Sequence, residues 1–280
     1  MHASVVVPTR GRPGLLRATL DALAAQDAPF PYEVVVVDDS PAPSATAAAR
    51  QHERVVSSGG QGAAAARNLG VESSAGAYVC LIDDDCIAPE AWLASLVAAA
   101  EAQPGAVIAG PTVNGHEGSP LAAASQRIVT WLAETTKDGG AEPPFAPTSN
   151  TCCAREILEQ VRFDPSFPQA AGEDRDWCAR LAQAGHPIAW LPEAPVYHYA
   201  PGGLAEFARR HFRYGSGSRA YRARRSGAAR AHPPAAYLQL FKDAFGDGPR
   251  VGAAVLLAQV ATIAGYLSAG RPRVRRGDGA

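Results

Sequence analysis

Apolar runs rich in β-branched residues alternate with helical spacing through the first third of this 280-residue chain. The runs occupy residues 4–7, 33–37, 54–56 and 77–82, and residues 15–25 show the spacing of a helix. Continuous apolar strands separated by helices are typical of a parallel sheet that is covered on both faces. The sequence therefore predicts an α/β fold built on such a sheet.

Polar residues follow three of these runs. An Asp-Asp-Asp run at 83–85 comes after residues 77–82, an Asp-Asp pair at 38–39 comes after residues 33–37, and Pro-Thr at 8–9 ends the first run. Ligands of open parallel sheets bind outside the carboxyl ends of the strands, so we expect one shared crevice. Adjacent buried carboxylates repel one another, and a bound Mg²⁺ or Mn²⁺ is the usual compensation. This predicts a metal-dependent enzyme acting on a nucleotide; the alternative is a solvated acidic turn.

Charge is divided unevenly along the chain, although the net charge is only −1. Residues 1–206 carry 12 Lys and Arg against 24 Asp and Glu, whereas residues 207–280 carry 14 against 3. A basic segment on an acidic body predicts an anionic partner, a membrane surface or a phosphorylated acceptor ahead of nucleic acid. The alternative is a solvated, arginine-rich helix face.

Residues 251–267 form a 17-residue apolar stretch that arginines at 271, 273, 275 and 276 follow. We expect a helix lying on an anionic membrane surface; packing against the protein body and a true membrane span are the alternatives. Five scattered cysteines indicate reduced thiols, and no basic-then-apolar leader opens the chain, so we expect a cytoplasmic protein, peripheral at the inner face of the cell membrane.

The order of several motifs resembles the family 2 glycosyltransferases, which have the GT-A fold. The resemblance covers roughly residues 3–225 and implies a Rossmann-like, mainly parallel sheet with helices on both faces, followed by a basic helical C-terminal extension. We expect a nucleotide-sugar-binding half at 1–112, an acceptor and catalytic half at 113–203, and the extension at 204–280. The motifs are Val-Val-Val-Pro-Thr-Arg ending at 10, Val-Val-Asp-Asp-Ser ending at 40, Ala-Ala-Arg-Asn-Leu-Gly ending at 70, Leu-Ile-Asp-Asp-Asp ending at 85, Gly-Glu-Asp ending at 174, and the segment from Pro192 to His198.

By this resemblance the acidic run is the DxD metal signature. Asp83 would face the ribose, Asp84 would orient the sugar or a metal-bound water, and Asp85 would hold Mn²⁺ or Mg²⁺ on the two phosphates. In some relatives a histidine at the place of His198 completes the metal shell, although a lone histidine at a strand end is more often structural. Asp174 would be the catalytic base; the alternative is an ordinary helix cap.

The resemblance also implies contacts to the two substrates. The side chains near the acceptor would be Asn150, Glu173 and Trp177, and core packing is the better interpretation of Trp177. Arg67 would lie by the nucleotide or diphosphate, or else form a salt bridge from helix to strand. The remaining donor-binding residues would be Pro8, Thr9, Arg10, Asp38 and Asp39, where Asp-Asp-Ser-Pro also suits a turn and helix start.

These expectations describe an inverting, metal-dependent glycosyltransferase. Its donor would be a UDP-, GDP- or dTDP-sugar, and its acceptor a hydroxyl on a glycan, a lipid-linked molecule or a small metabolite. Two alternatives stay open: a catalytically silent nucleotide-sugar-binding protein on the same fold, and a nucleotidyltransferase. The second would need a Gly-rich loop with Lys or Arg after the first strand, which residues 10–14 imitate only faintly. The sequence leaves the oligomeric state open.

Overall fold

The computed structural model describes residues 1–49, 53–137, 143–167, 171–200, 202–225 and 232–269. The predicted arginines at 271–276 therefore lie outside the described residues, as do the last two residues of a helix expected at 44–51. In chain order the elements are β1 (Ala3–Thr9), α1 (Pro13–Ala24), β2 (Tyr32–Asp38), β3 (Arg54–Ser57), α2 (Ala63–Ser73), β4 (Tyr78–Ile82), β5 (Cys86–Ile87), α3 (Trp92–Ala102), β6 (Val107–Ala109), β7 (Thr112–Asn114), α4 (Pro120–Thr136), β8 (Asn150–Ala154), α5 (Arg155–Gln160), α6 (Glu173–Ala184), β9 (Ile188–Trp190), β10 (Val196–His198), α7 (Leu204–Arg224), α8 (Pro234–Gly246) and α9 (Pro249–Ser268).

A seven-stranded sheet in the order β3-β2-β1-β4-β8-β6-β9 forms the centre of the molecule. The first four strands of that order run parallel, and β8 is antiparallel to both of its neighbours. A small second sheet has the order β5-β10-β7, and its pairing sets His198 opposite Cys86. The predicted mainly parallel α/β sheet is confirmed, and the small sheet brings β10 next to the end of the acidic run.

Apolar side chains of β1 pack on both faces of the sheet. Val5 and Val7 join the core that includes Leu20 of α1, whereas Val6 joins the opposite core that includes Trp177 of α6. All five of these side chains are inaccessible to solvent. This is why the strand sequences are continuously apolar, and it confirms the prediction of helices on both faces.

Helices α4, α7, α8 and α9 form a separate apolar cluster, so the predicted helical C-terminal extension is confirmed. Helix α9 lies close to α7 because glycines face each other across the contact. A Cβ at Gly215 would lie 1.9 Å from the carbonyl oxygen of Thr262, and one at Gly265 would lie 1.9 Å from that of Phe212. One face of α9 is thus packed against the protein body, as one of the alternatives predicted.

The opposite face of α9 is apolar and open to solvent. Leu256, Val260, Ile263 and Leu267 are 44%, 65%, 58% and 70% exposed, and we call these four residues the outer stripe. By length and composition α9 is the one described helix that could cross a membrane, yet a third of its most apolar window is buried inside the protein. Contact with a membrane surface stays a prediction.

Local structure differs from the expectations in three segments. Residues 45–47 form only a single 3₁₀ turn where a helix was predicted. The segment Asn150–Ala154 is strand β8 and leads directly into α5, because Cys152 and Cys153 are small apolar side chains that fill opposite faces of the sheet. A helical piece was expected at 121–133 and is observed as the longer α4, whereas the sequence did not predict α8.

Candidate active site

Asp84 is the innermost member of the acidic run after β4. It is fully buried, and its carboxylate accepts hydrogen bonds from Thr9 Oγ1 at 2.5 Å and from Arg12 Nε at 3.2 Å. Burial raises the pKa of Asp84 to about 7, although the charge of Arg12 and the Thr9 hydroxyl act in the opposite direction. Asp84 and Thr9 hydrogen-bond to each other and neither lines the cavity described below, so their donor contacts stay predictions.

Asp85 and His198 lie side by side. His198 Nε2 is 3.4 Å from Asp85 Oδ1, and Arg12 Nη1 donates to Asp85 Oδ2 at 2.7 Å. Burial acts to raise the pKa of Asp85, but the hydrogen bond and charge of His198, with the charge of Arg12, hold that pKa below its usual value. Burial acts to lower the pKa of His198, and Asp85 reverses this so that the His198 pKa is raised.

This pair of side chains offers a divalent ion one carboxylate and one imidazole. Within the described residues no group of three or more His, Cys, Asp or Glu side chains is arranged around a metal site. Mg²⁺ and Mn²⁺ retain several waters and bind through one or two protein ligands plus phosphate oxygens, and Mn²⁺ also accepts imidazole. The donor set of Asp85 and His198 therefore fits such an ion.

Arg67 joins the acidic run to the start of α6. It donates to Asp83 Oδ1 and to Glu173 Oε1, both at 3.1 Å, and its side chain is only 6% exposed. Burial raises the pKa of Glu173, the nearby charge of Asp174 adds to this, and Arg67 opposes it. The salt bridge from helix to strand, which the sequence left open, is present between Arg67 and both carboxylates.

Asp174 lies in the first turn of α6, whose start is fixed by Gly172. The φ of Gly172 is 91°, and a Cβ there would lie 2.7 Å from the Gly217 carbonyl oxygen in α7. Only glycine suits this left-handed backbone and close approach. Asp174 Oδ1 accepts from the Arg175 N–H at 2.8 Å. Burial raises the Asp174 pKa more than that hydrogen bond and the charge of Arg67 lower it.

A cavity of about 830 Å³ unites these groups, and Asp83, Asp85, Asp174 and His198 all line it. Glu173 and Arg67 also line it. Of the three segments predicted to share one crevice, only the acidic run lines this cavity, through Asp83 and Asp85, where it meets Asp174. The roles of these residues in donor and metal binding and in catalysis stay predictions.

The carboxylate pair at the end of β2 has structural partners. Asp38 is buried and accepts from the backbone N–H groups of Ser40, Ser44 and Ala45 at 2.9, 2.6 and 2.7 Å. The turn that the sequence left as the alternative is therefore present, and a nucleotide contact of Asp38 stays a prediction. These hydrogen bonds hold the following turn and keep the Asp38 pKa low against the effect of burial.

Asp39 is better placed than Asp38 to bind a ligand. It accepts from Ser58 Oγ at 2.7 Å, from the Gly62 N–H and from Arg10, whose own side chain is 57% exposed. Because Arg10 can leave this contact without becoming unsolvated, the donor contacts of Asp39 and Arg10 stay predictions. Pro8, paired with Val37 inside the sheet, does not line the cavity.

Two residues predicted near the acceptor belong to the interior. Asn150 is fully buried, accepts from Trp92 Nε1 at 2.8 Å, and donates to the carbonyl oxygens of Pro111 and Ala194. Trp177 is fully buried, stacks on Phe163 and donates to a main-chain carbonyl. Both acceptor-side predictions are wrong, because neither side chain reaches the cavity; core packing of Trp177 is confirmed.

Three residues of the site were not among the predicted site residues. Arg12 contacts two carboxylates of the acidic run, and both Arg210 and Tyr214 of α7 line the cavity. The position of Arg12 directly after β1, at the same edge of the sheet, was an available signal. Desolvation raises the pKa of Tyr214 to about 12; the charge of Arg210 opposes this shift, whereas the charges of Asp174 and Asp85 add to it. No local pattern distinguishes Arg210 from the neighbouring arginines of α7.

Comparison with known proteins gives a consistent result. The family model described as "Glycosyl transferase family 2" matches residues 4–162. The chain is 27% identical over 222 residues to glycosyltransferase AglE of Haloferax volcanii, covering 76% of this chain and 72% of that protein. It is 30% identical over 237 residues to the succinoglycan biosynthesis protein ExoM of Rhizobium meliloti, covering 77% and 73%.

Solved structures with a similar fold include two with bound nucleotides. One is the mannosyltransferase PcManGT of Pyrobaculum calidifontis in complex with GDP-Man and Mn²⁺, with a TM-score of 0.59, 21% identity, and coverage of 97% of this chain and 76% of that one. The other is residues 1–349 of S. aureus TarS in complex with UDP, with a TM-score of 0.53, 18% identity, and coverage of 95% and 89%. At these identities the likeness shows the fold, which is GT-A.

Proposed function

Since this chain belongs to glycosyl transferase family 2 and is a glycosyltransferase, we propose that it transfers a sugar with inversion from a nucleoside-diphosphate donor to a hydroxyl acceptor. The observation that carries this proposal is the common cavity of Asp83, Asp85, His198 and Asp174. Nucleotides bound to proteins of similar fold support a nucleotide-sugar donor. The family disfavours a nucleotidyltransferase.

Asp174 is the proposed base. The acceptor oxygen bonds to the anomeric carbon of the donor while its proton moves to an Asp174 oxygen. The bond between that carbon and the diphosphate oxygen breaks, and the nucleoside diphosphate leaves with the electron pair. A raised pKa brings Asp174 nearer to the working pH, where a general base is most effective. Attack from the face opposite the leaving group inverts the configuration.

Asp85 and His198 are the proposed ligands of Mn²⁺ or Mg²⁺, which supplies Lewis-acid stabilisation of the charge on the departing diphosphate when bound. Asp83 is the proposed ribose contact, and Arg67 orients it through their 3.1 Å ion pair. Asp39 and Arg10 are the remaining proposed donor contacts. Arg12, which touches Asp85, must give up or share this carboxylate when the ion binds.

The test of this function is release of nucleoside diphosphate from a panel of UDP-, GDP- and dTDP-sugars with Mn²⁺. Asp174→Asn should keep donor binding by calorimetry and lose about 10²–10⁴ in turnover, the usual worth of a general base. Asp176→Asn is the matched control, because Asp176 lies in the same first turn, pairs with Arg180 and does not line the cavity. Near-normal turnover of Asp174→Asn would remove it as the base. A silent binding protein would bind donors and release nothing.

We propose further that the outer stripe of α9 lies on an anionic membrane surface, at the cytoplasmic face. The stripe is apolar and exposed, and its chain continues into a sequence with four arginines between residues 271 and 276. Apolar insertion and attraction of arginine to anionic lipid reinforce each other at such an interface. Leu256→Glu should abolish co-flotation with vesicles containing phosphatidylserine. Equal flotation of the variant and the wild type would refute this docking.

A further inference from the structure

The 830 Å³ cavity continues from the carboxylates into the space between the C-terminal helices. Its volume is within the range of about 300–1,000 Å³ that small-molecule sites occupy. Helices α4, α8 and α9 supply this second part with aliphatic and aromatic side chains, among them Ile128, Leu132, Phe241, Ile263, Tyr266 and Leu267. The cavity thus has a charged part and an apolar part.

Three polar groups in the apolar part bond within the protein. Gln126 Nε2 donates at 2.6 Å to a main-chain oxygen of β7, and Trp131 Nε1 donates at 3.0 Å to a carbonyl of α8. Thr262 Oγ1 donates at 3.2 Å to a carbonyl of α7. A hydrophilic acceptor such as a glycan would lose its water there without gaining these hydrogen bonds, and unpaired polar groups are costly to bury. The wall therefore suits a hydrocarbon chain.

The apolar part also reaches the outer face of the protein. Ile263 and Leu267 line the cavity, yet they belong to the outer stripe and are 58% and 70% exposed. These two side chains therefore join the outer stripe to the apolar part of the cavity, and a long apolar chain can follow this route. A soluble metabolite would have no use for this route.

Helix α7 supplies cations to the same cavity, through Arg210, Arg213 and Arg222. Arg222 Nε is buried and has no hydrogen-bond partner among the described residues. Guanidinium groups bind phosphate oxygens with two parallel hydrogen bonds, better than an ammonium group does. A phosphate that links an apolar chain to the part of the acceptor carrying the reacting hydroxyl would therefore be neutralised by an arginine of α7.

We propose that the acceptor is a lipid-linked phosphate or diphosphate, an inference that rests on the proposed function. Its hydrocarbon chain lies between α4, α8 and α9, its phosphate binds Arg222 of α7, and a hydroxyl of the sugar that the phosphate carries reaches Asp174. The outer stripe is then the entrance for an acceptor that resides in the membrane.

Trp131 lines the cavity and reports on binding through its fluorescence. The probe is dodecyl phosphate below its micellar concentration, with Mn²⁺ and UDP or GDP present, compared with dodecanol and with inorganic phosphate. Ile263→Glu should weaken dodecyl phosphate binding about tenfold or more, since it sets a carboxylate in the apolar wall. Val260→Glu is the matched control: it is also an exposed residue of the outer stripe, but it does not line the cavity, so binding should change less than about twofold. Arg222→Gln should weaken dodecyl phosphate and leave dodecanol unchanged.

Equal weakening by both glutamate variants would place the alkyl chain on the outer stripe and overturn the proposal, as would binding that neither variant changes. If inorganic phosphate at equal concentration displaces dodecyl phosphate, the site binds free phosphate and the lipid assignment is refuted. Leu267→Glu repeats the test if Ile263→Glu does not fold. Probe binding with the expected variant pattern, but without any release of nucleoside diphosphate by the wild type, would refute the proposed function and leave the cavity assignment standing.

Discussion

The ion pairs of Arg67 provide the sharpest test of how this site is held together, through the substitution Arg67→Met. Methionine keeps an apolar stem of similar length and removes the charge. Arg67 and Glu173 are each only 6% exposed, so the substitution leaves the Glu173 carboxylate buried without its partner. Removing one member of a buried pair costs about 3–5 kcal/mol. Asp83 is 31% exposed and screened by solvent, so its pair adds less than about 1 kcal/mol.

The free energy of unfolding, measured with urea at pH 7.5, should therefore fall by about 3–5 kcal/mol in Arg67→Met. Arg209→Met is the matched control. Arg209 is 69% exposed and pairs with Glu206 at 2.9 Å, so its loss should cost less than about 1 kcal/mol. A loss below about 1 kcal/mol for Arg67→Met would mean that water already solvates this site, and would refute the reasoning.

Two further arms identify the cause. Arg67→Met/Glu173→Gln should recover most of the loss, because the unpaired buried charge is then gone. In Arg67→Met the pKa of Glu173 rises further, so the folded protein binds a proton that the unfolded chain releases. The destabilisation should therefore shrink as the pH falls from 7.5 toward 5. If the loss of unfolding free energy in Arg67→Met does not depend on pH, its cause would be lost packing and not the unpaired carboxylate.

Three other predictions concern the metal site, the buried histidine and the helix contact. Asp85→Asn should weaken Mn²⁺ binding, followed by electron paramagnetic resonance with UDP or GDP present; unchanged affinity would exclude Asp85 as a ligand. Burial lowers the pKa of His211 to about 4, with a smaller contribution from Arg210, so the unfolded state takes up a proton first as the pH falls. Stability should be complete above about pH 6.5, fall by up to about 3 kcal/mol toward pH 4, and lose this slope in His211→Gln. Gly215→Ala sets a Cβ against the Thr262 carbonyl and should cost about 1–3 kcal/mol in urea unfolding, whereas Gly246→Ala, with open space around it, should not destabilise.

The elements that the sequence predicted well are those with a strong local pattern. Helix α1, expected at residues 15–25, is observed at Pro13–Ala24, and the strands with three or more β-branched residues lie where expected. Topology then brought the ends of β1 and β4 together without any knowledge of side-chain contacts. Strand direction could therefore place the acidic run at an edge of the sheet, but not the helix that brings Asp174 to it.

The failures concern residues whose role depends on distant partners. Asn150 looks like a polar loop residue in sequence, but its amide bridges two separate carbonyls and a tryptophan in the interior. The apolar part of the cavity is assembled from helices α4, α8 and α9, which are far apart in the sequence. No local pattern encodes these contacts.

The sequence did not reveal that Thr9, Asp84 and Arg12 form one hydrogen-bonded group. Three adjacent carboxylates cannot all remain charged and serve as ligands, and a bound cation was the expected compensation. The chain supplies part of the compensation itself: the guanidinium of Arg12 and the Thr9 hydroxyl hold Asp84, whose pKa of about 7 leaves it partly protonated at neutral pH. Asp83 is held by Arg67.

Asp85 is then the one carboxylate of the run that faces both the cavity and an imidazole. Its other partner, Arg12, has a side chain that is 35% exposed and can turn toward solvent at little cost. A divalent ion and a diphosphate neutralise each other's charge when they bind together. The ion can then take the place of Arg12 beside Asp85, so that no carboxylate is left unpaired. We therefore expect Mn²⁺ to bind weakly alone and more tightly with UDP or GDP. In Arg12→Gln the affinity for Mn²⁺ alone, measured by calorimetry, should come closer to the affinity measured with UDP or GDP. An unchanged ratio of these two affinities would contradict the view that Arg12 neutralises Asp85 before the ion binds.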